Sequence, residues 1–247
     1  MAVLDPVKLV IDNYPEGQEE SCFAPNHPQR PELDKRALPF SRELWIERDD
    51  YQEDAPQGYF RLTPGAEVRL RFAYIVRCVG AERDADGNIV AVHCTYDPET
   101  RSGTPGADAR KVRGNIHWLS AVHAVRAEVR LYDRLFLVPF PGMRRPPGTA
   151  ADGVVAAEAV AHKTVVAGDD EDDDSVEVAE RSWLDDLDPD SKRVITAYVE
   201  PSLGEAGPGE FFQFERHGYF VADLRDHAPG KPVYNRTVTL KDSWALR

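Results

Sequence analysis

Residues 59–72 read YFRLTPGAEVRLRF and hold three arginines, Arg61, Arg69 and Arg71, beside two aromatic residues, Tyr59 and Phe60. A guanidinium presents a planar fork of N–H donors, and that fork matches the edge of a base or an oxyanion. Flat side chains stack on unpaired bases. The chemistry this stretch could do is therefore recognition of splayed-out nucleobases, without bond making or breaking. The same pattern also describes a basic β-hairpin face that simply meets water.

The arginines need a scaffold that fixes their direction. Pro64 and Gly65 predict a turn between two short strands. In the second strand Val68, Leu70 and Phe72 alternate with Arg69 and Arg71, which predicts three apolar residues in a core and two guanidiniums on the opposite face. Arg61, before the turn, would lie near that same face, and residues 73–78 would continue the strand. Elsewhere Val7, Leu9 and Ile11 alternate, and a strand centred on Leu44, Trp45 and Ile46 has Glu and Asp neighbours expected in solvent. Asp86, Gly87 and Asn88 predict a tight hairpin turn before residues 89–96. In residues 111–118, Val112, Ile116 and Trp118 share one face, while Lys111, Arg113, Asn115 and His117 share the other. Residues 120–127 read as a short helix or a bend. Leu131, Leu135 and Phe136 are expected in a core. Two final strands are expected around FFQFERHGYF and PVYNRTVTLKDSW. Strands recur every 10–20 residues, with no sustained 3.6-residue period. The fold class is mainly β, arranged as two antiparallel β-barrels. Residues 34–122 are expected to form a contiguous distal barrel, and residues 1–33 with 123–247 a proximal one.

The chain has 247 residues and a net charge of −13, which at first argues against a nucleic-acid partner. The acidity is local. Residues 151–190 hold fourteen acidic residues against Lys163 and Arg181, and without them 29 acidic and 28 basic groups remain. A balanced body can still bind RNA through a local patch, with modest salt-driven affinity. Residues 169–174 are unbroken acid, so an acidic, low-complexity insertion is expected at about 144–190. Cys22, Cys78 and Cys94 are far apart in the chain and odd in number, which predicts no disulfide framework and suits a reducing, cytoplasmic compartment. No apolar run approaches membrane-spanning length, and the start of the chain lacks a secretory layout.

No glycine-rich phosphate loop and no GxSxG occur, and no paired-carboxylate pattern stands out. Residues 84–88 resemble a calcium loop only faintly, with the glycine at the wrong offset. His117 and His123 lie six apart without a third ligand near them in sequence. No catalytic residue and no metal site are expected.

Ten segments together resemble a known family: MAVLDPVKLVI, PNHP, PFSRELWIER, YFRL, PGAEVRLRFAY, GNIHWLSA, EVRLYDRLF, EPSL, FQFERHGYF and NRTVTLKDSW. In this order they are similar to the C-terminal anticodon-binding region of bacterial glutaminyl-tRNA synthetases, over nearly the whole chain apart from the acidic segment. The related glutamyl enzymes of archaea and eukaryotes share the module. The resemblance implies a pair of β-barrels that grip a tRNA anticodon loop and take its three bases into separate pockets. It implies that Arg61 reads the third base, a guanine, and that Arg69 and Arg71 lie near the first base. It implies that Gln213 and Arg216 line the pocket of the middle base, a uracil. The expected partners are glutamine tRNA and a catalytic synthetase domain in cis or trans; no membrane and no DNA are expected. ATP and Mg belong to that catalytic domain, whose HIGH-type and KMSKS-type motifs this sequence lacks, so no cofactor and no catalysis are expected of this chain alone. The alternatives are a stand-alone β-barrel interaction protein derived from the same domain, or the equivalent module of a glutamyl-tRNA synthetase. The sequence departs from the family in three ways. The arginine just upstream of the residue matching Met1 is missing, Phe60 stands where some members carry lysine, and the acidic stretch is longer.

Overall fold

The computed structural model describes residues 1–27, 29–107, 109–142 and 182–240. The acidic run at 169–174 lies outside the described residues. Fifteen strands occur among them. In chain order they are β1 (Ala2–Val3), β2 (Pro6–Ile11), β3 (Glu20–Pro25), β4 (Lys35–Phe40), β5 (Glu43–Glu47), β6 (Glu67–Leu70), β7 (Ile75–Arg83) and β8 (Ile89–Asp97). The others are β9 (Gly114–Ile116), β10 (Leu119–Ser120), β11 (Val125–Tyr132), β12 (Lys192–Val199), β13 (Phe211–Phe214), β14 (Gly218–Ala222) and β15 (Val233–Val238). No helix among the described residues is long and apolar enough to cross a membrane.

The strands build a mainly β architecture of two curled sheets. One has seven strands in the order β10-β5-β2-β8-β7-β6-β9, and the other has six in the order β1-β12-β11-β15-β14-β13. The β3–β4 hairpin stands as a separate pair. Most ladders are antiparallel, as expected. Parallel ladders among the described residues include β2 with β8, β6 with β9, and β11 with β15. Each parallel pair joins strands distant in sequence, which short hairpin turns cannot do. The first eleven residues contribute to both sheets. Ala2 and Val3 pair with β12, whereas Pro6–Ile11 pairs with β5 and β8 in the seven-stranded sheet.

Alternation is obeyed where strands are long. Val7, Leu9 and Ile11 are buried in β2 and face Leu44, Ile46, Val92 and Cys94 in one apolar core with Phe40 and Trp118. Phe40 and Trp118 meet edge to face at 5.0 Å. A second core gathers Val129, Ala197, Val199, Phe214, Phe220 and Tyr234 from the six-stranded sheet, with Phe214 stacked on Phe220 at 4.2 Å. Trp45, half-buried on the outer face of β5, stacks on Tyr198 of β12 at 4.8 Å and joins the two sheets. The β7–β8 turn forms as the sequence predicts: the Asp84 carboxylate accepts the N–H groups of Asp86 and Asn88, and Gly87 takes φ +84°.

The arginine stretch differs from expectation. Residues 59–62 are not a strand, and the paired hairpin is β6–β7, reversed by residues 71–74. Phe72 adopts φ +63°, so alternation ends at Leu70 and Phe72 is only partly buried against the core. Residues 120–127 hold β10, a turn and β11 rather than a helix.

The compact unit spanning Tyr132–Arg193 has its own small framework. The Ser182 hydroxyl accepts from Leu184 N–H and caps a 3₁₀ turn at Trp183–Asp186. Phe136 bridges to Leu187 and touches the Trp183 ring edge-on at 6.3 Å. Leu135, expected in a core, is 55% exposed, because the β11 strand stops at Tyr132 and its alternation does not extend that far.

Candidate nucleic-acid interface

The site is organised by a carboxylate that the sequence reading leaves in solvent. β5 ends at Glu47, and the chain turns through a 3₁₀ segment, Arg48–Asp50, in which Tyr51 N–H bonds to Arg48 C=O at 3.2 Å. That turn drives Asp50 inward, where it is 0% exposed. A buried carboxylate must be paired and hydrogen-bonded. Arg216 supplies a two-pronged partner, with Nη2 at 2.7 Å from Oδ1 and Nη1 at 2.9 Å from Oδ2. Arg61 supplies a second guanidinium, its Nε 3.3 Å from the same Oδ1. Arg61 Nη1 also donates to Asp49 C=O at 3.0 Å. Two backbone bonds, Leu62 N–H to Asp50 C=O and Gln52 N–H to Leu62 C=O, hold Arg61 next to this turn. The Nη2 amino group of Arg61 takes part in neither contact, and its side chain is 38% exposed.

Arg216 comes from the three-residue connection between β13 and β14, where Phe214 is in register with Gly218. Arg216 has φ +68°. Gly218 has φ +140°, and a Cβ there would sit 2.2 Å from the Val238 carbonyl oxygen, so only glycine fits. The reversal sends three consecutive side chains toward the seven-stranded sheet: Glu215 to Arg71 at 3.1 Å, Arg216 to Asp50, and His217 to Glu47 at 2.7 Å. Burial alone would lower the pKa of Arg216, but the hydrogen bonds and charge of Asp50, with Glu47 and Glu215, outweigh it and hold the guanidinium above its ordinary value. Arg216 therefore stays charged at all physiological pH.

Aromatic surface flanks these charges. Arg61 lies 5.9 Å from the centre of the Tyr59 ring, and the Tyr59 hydroxyl donates to Asp49 C=O. Burial, with the nearby Asp50 charge, pushes the Tyr59 phenol up to about 12, so it stays neutral. Arg71 lies over Phe72 at 5.0 Å and Arg113 over Phe60 at 5.2 Å, with Phe60 half exposed. Gln213 stands on β13 opposite Tyr219, with its side chain exposed.

Of the five residues singled out in the sequence, Arg61, Arg71 and Arg216 are drawn together around the β13–β14 turn, with Gln213 three residues before Arg216 on the same hairpin. Arg69 is different. Its Nη1 donates to Thr100 C=O at 2.8 Å and its Nη2 to Ala107 C=O at 3.0 Å, so its donors tie down the loop at 98–107 instead of facing outward. Asp50, Glu47, Glu215 and His217 escaped the sequence reading. Glu47 and Asp50 look like solvated acids in sequence, and the side chain that binds Asp50 through both of its oxygens lies 166 residues away.

Two family models, both described as "tRNA synthetases class I (E and Q), anti-codon binding domain", match residues 1–97 and 115–223. Glutamine–tRNA ligase of Cupriavidus metallidurans is 54% identical over 244 residues, covering 99% of this chain and 36% of the relative. The same-named protein of Cupriavidus necator is 56% identical, again over 99% of this chain and 36% of the relative. That of Nitrosomonas europaea is 51% identical over 99% of this chain and 38% of its own length. The chain thus spans little more than a third of the curated relatives it matches. It belongs to the anticodon-binding-domain family of the class I tRNA synthetases for glutamate and glutamine.

Proposed function

We propose that this chain reads the anticodon of glutamine tRNA as the recognition module of a glutamine–tRNA ligase, in the cytoplasm. Support comes from the family membership, from the glutamine–tRNA ligase name of its relatives, and above all from the Asp50 cluster. One buried carboxylate holds Arg61 and Arg216 at fixed angles before any ligand arrives. A base then meets donors already oriented, and the entropy of ordering them is not lost on binding. In this reading Arg61 offers its fork to the third anticodon base, a guanine, whose O6 and N7 accept a bidentate donor. Gln213 and Arg216 face the middle base, a uracil, to which the amide both donates and accepts. Arg71 lies near the first base, and Arg69 keeps the neighbouring loop in place. ATP, Mg and bond formation belong to a catalytic domain acting with this module.

The test is binding to glutamine tRNA and to transcripts with the middle or third anticodon base exchanged, all at one salt concentration, because phosphate contacts alone vary with salt. Cognate tRNA should bind more tightly by about 1–3 kcal/mol for each exchanged base. Equal affinity for all three RNAs would refute the reading.

A further inference from the structure

Three side chains that the base-reading face does not use meet beneath it. Glu47 ends β5, His117 lies between β9 and β10, and His217 closes the β13–β14 turn. One ligand atom from each lies within 4.8 Å of the other two. Glu47 Oε1 is 2.7 Å from His217 Nε2 and 3.4 Å from His117 Nε2. His117, which the sequence pattern sets on the strand face opposite Ile116 and Trp118, is buried, because β9 ends at Ile116 and the alternation lapses there. Neither of its ring nitrogens is hydrogen-bonded to the protein; the Glu47 oxygen at 3.4 Å is not aligned to accept from it. A buried imidazole without a partner is costly, and it is aimed into the cluster.

We propose that Glu47, His117 and His217 form a binding site for a divalent transition metal of the zinc, cobalt or nickel class. Two imidazoles and one carboxylate are the donor set these ions favour, whereas calcium and magnesium favour oxygen alone. Metal–ligand bonds of about 2.0–2.2 Å in a tetrahedron separate the donor atoms by about 3.4 Å. The His117 distance of 3.4 Å already has that value, and the His217 distance of 2.7 Å has to widen by about 0.7 Å. Leu4 N–H and Asp5 N–H hold the Glu47 carboxylate at 2.7 and 3.0 Å, in the manner of an outer shell that orients a ligand. The adjacent Arg216 charge is taken up by Asp50. The site spans both sheets, with Glu47 and His117 on the seven-stranded side and His217 on the six-stranded side, so a bound ion would fasten one to the other.

The experiment uses the full chain stripped with a chelator and titrated with Co²⁺, then with Zn²⁺ as competitor. One equivalent of Co²⁺ should give the visible absorption of a tetrahedral site, Zn²⁺ should abolish it, and either ion should raise the melting temperature. His217→Ala and His117→Ala should each weaken binding by about tenfold or more, whereas His93→Ala, at a half-buried histidine paired with Asp12, should leave it intact. The titration of the unaltered chain stands even where a variant fails to fold. Absence of both the absorption and the thermal shift would overturn the proposal. So would a signal that survives His217→Ala or that disappears with His93→Ala.

Discussion

Asp50→Asn is the sharpest perturbation of the proposed recognition face, because it removes one negative charge and almost no volume. Asp50 has no solvent access, yet two guanidiniums converge on it. The substitution turns a bidentate ion pair with Arg216 into at best one hydrogen bond from the guanidinium to an uncharged amide oxygen. Removing one partner of a fully buried ion pair costs about 3–5 kcal/mol. The Arg216 side chain is 27% exposed and that of Arg61 38% exposed, so water recovers part of the loss. The expected cost is about 2–4 kcal/mol of stability, read as a fall in the urea midpoint with an unchanged slope. Binding makes the prediction specific. Arg61 and Arg216 lean on the same carboxylate, so Asp50→Asn should erode discrimination at the third and the middle anticodon base together. Arg61→Ala should erode it at the third base alone, by about 1–3 kcal/mol. The assay is a titration of the folded variant with cognate, middle-exchanged and third-exchanged tRNA at fixed salt. The reasoning fails if Asp50→Asn weakens all three RNAs by the same factor, or if it alters only one position.

Further outcomes follow from other contacts. Gly218→Ala should destabilise the chain by about 2 kcal/mol or more in thermal or urea unfolding, since the new methyl would collide with the Val238 carbonyl at 2.2 Å. Arg69→Ala should leave the β6–β7 hairpin intact but speed amide exchange and proteolysis in residues 98–107, whose carbonyls it holds. The Asp223 carboxyl is held down at about 2 by the Asn235 side chain, the N–H groups of Asp226 and Arg225, and Arg130, which also binds Glu128 and Asp226. A depressed carboxyl stabilises the fold above its ordinary range and loses that contribution as pH falls toward 2. Asp223→Asn should therefore flatten the loss of stability between about pH 4 and pH 2 in acid titrations.

How much was legible in the sequence depended on how far each residue's partner lay along the chain. Val7, Leu9 and Ile11 could be placed in a core because a strand's period is local. The Asp84–Asn88 turn was readable because its hydrogen bonds close within five residues. The Tyr59–Phe72 stretch misled because alternation presumes an extended backbone, and Phe72 abandons it at φ +63°. Asp50 and Glu47 were unreadable for a different reason. Their guanidinium and imidazole partners come from residues 216 and 217, across the whole chain. Cys78 and Cys94, far apart in sequence, face each other in register on β7 and β8.

The β13–β14 turn has a consequence for assembly. It presents acid, base and imidazole in that order to sockets that are base, acid and acid: Arg71, Asp50 and Glu47. Slipping this connector by one residue would seat Glu215 against Asp50 or leave Arg216 facing Arg71, and like charges meeting in this partly buried joint repel. The joint is keyed like a plug with unequal pins, and it accepts one insertion. Since every socket is translated well over a hundred residues before the pins, the first sheet can present a finished receptacle by the time the last hairpin emerges.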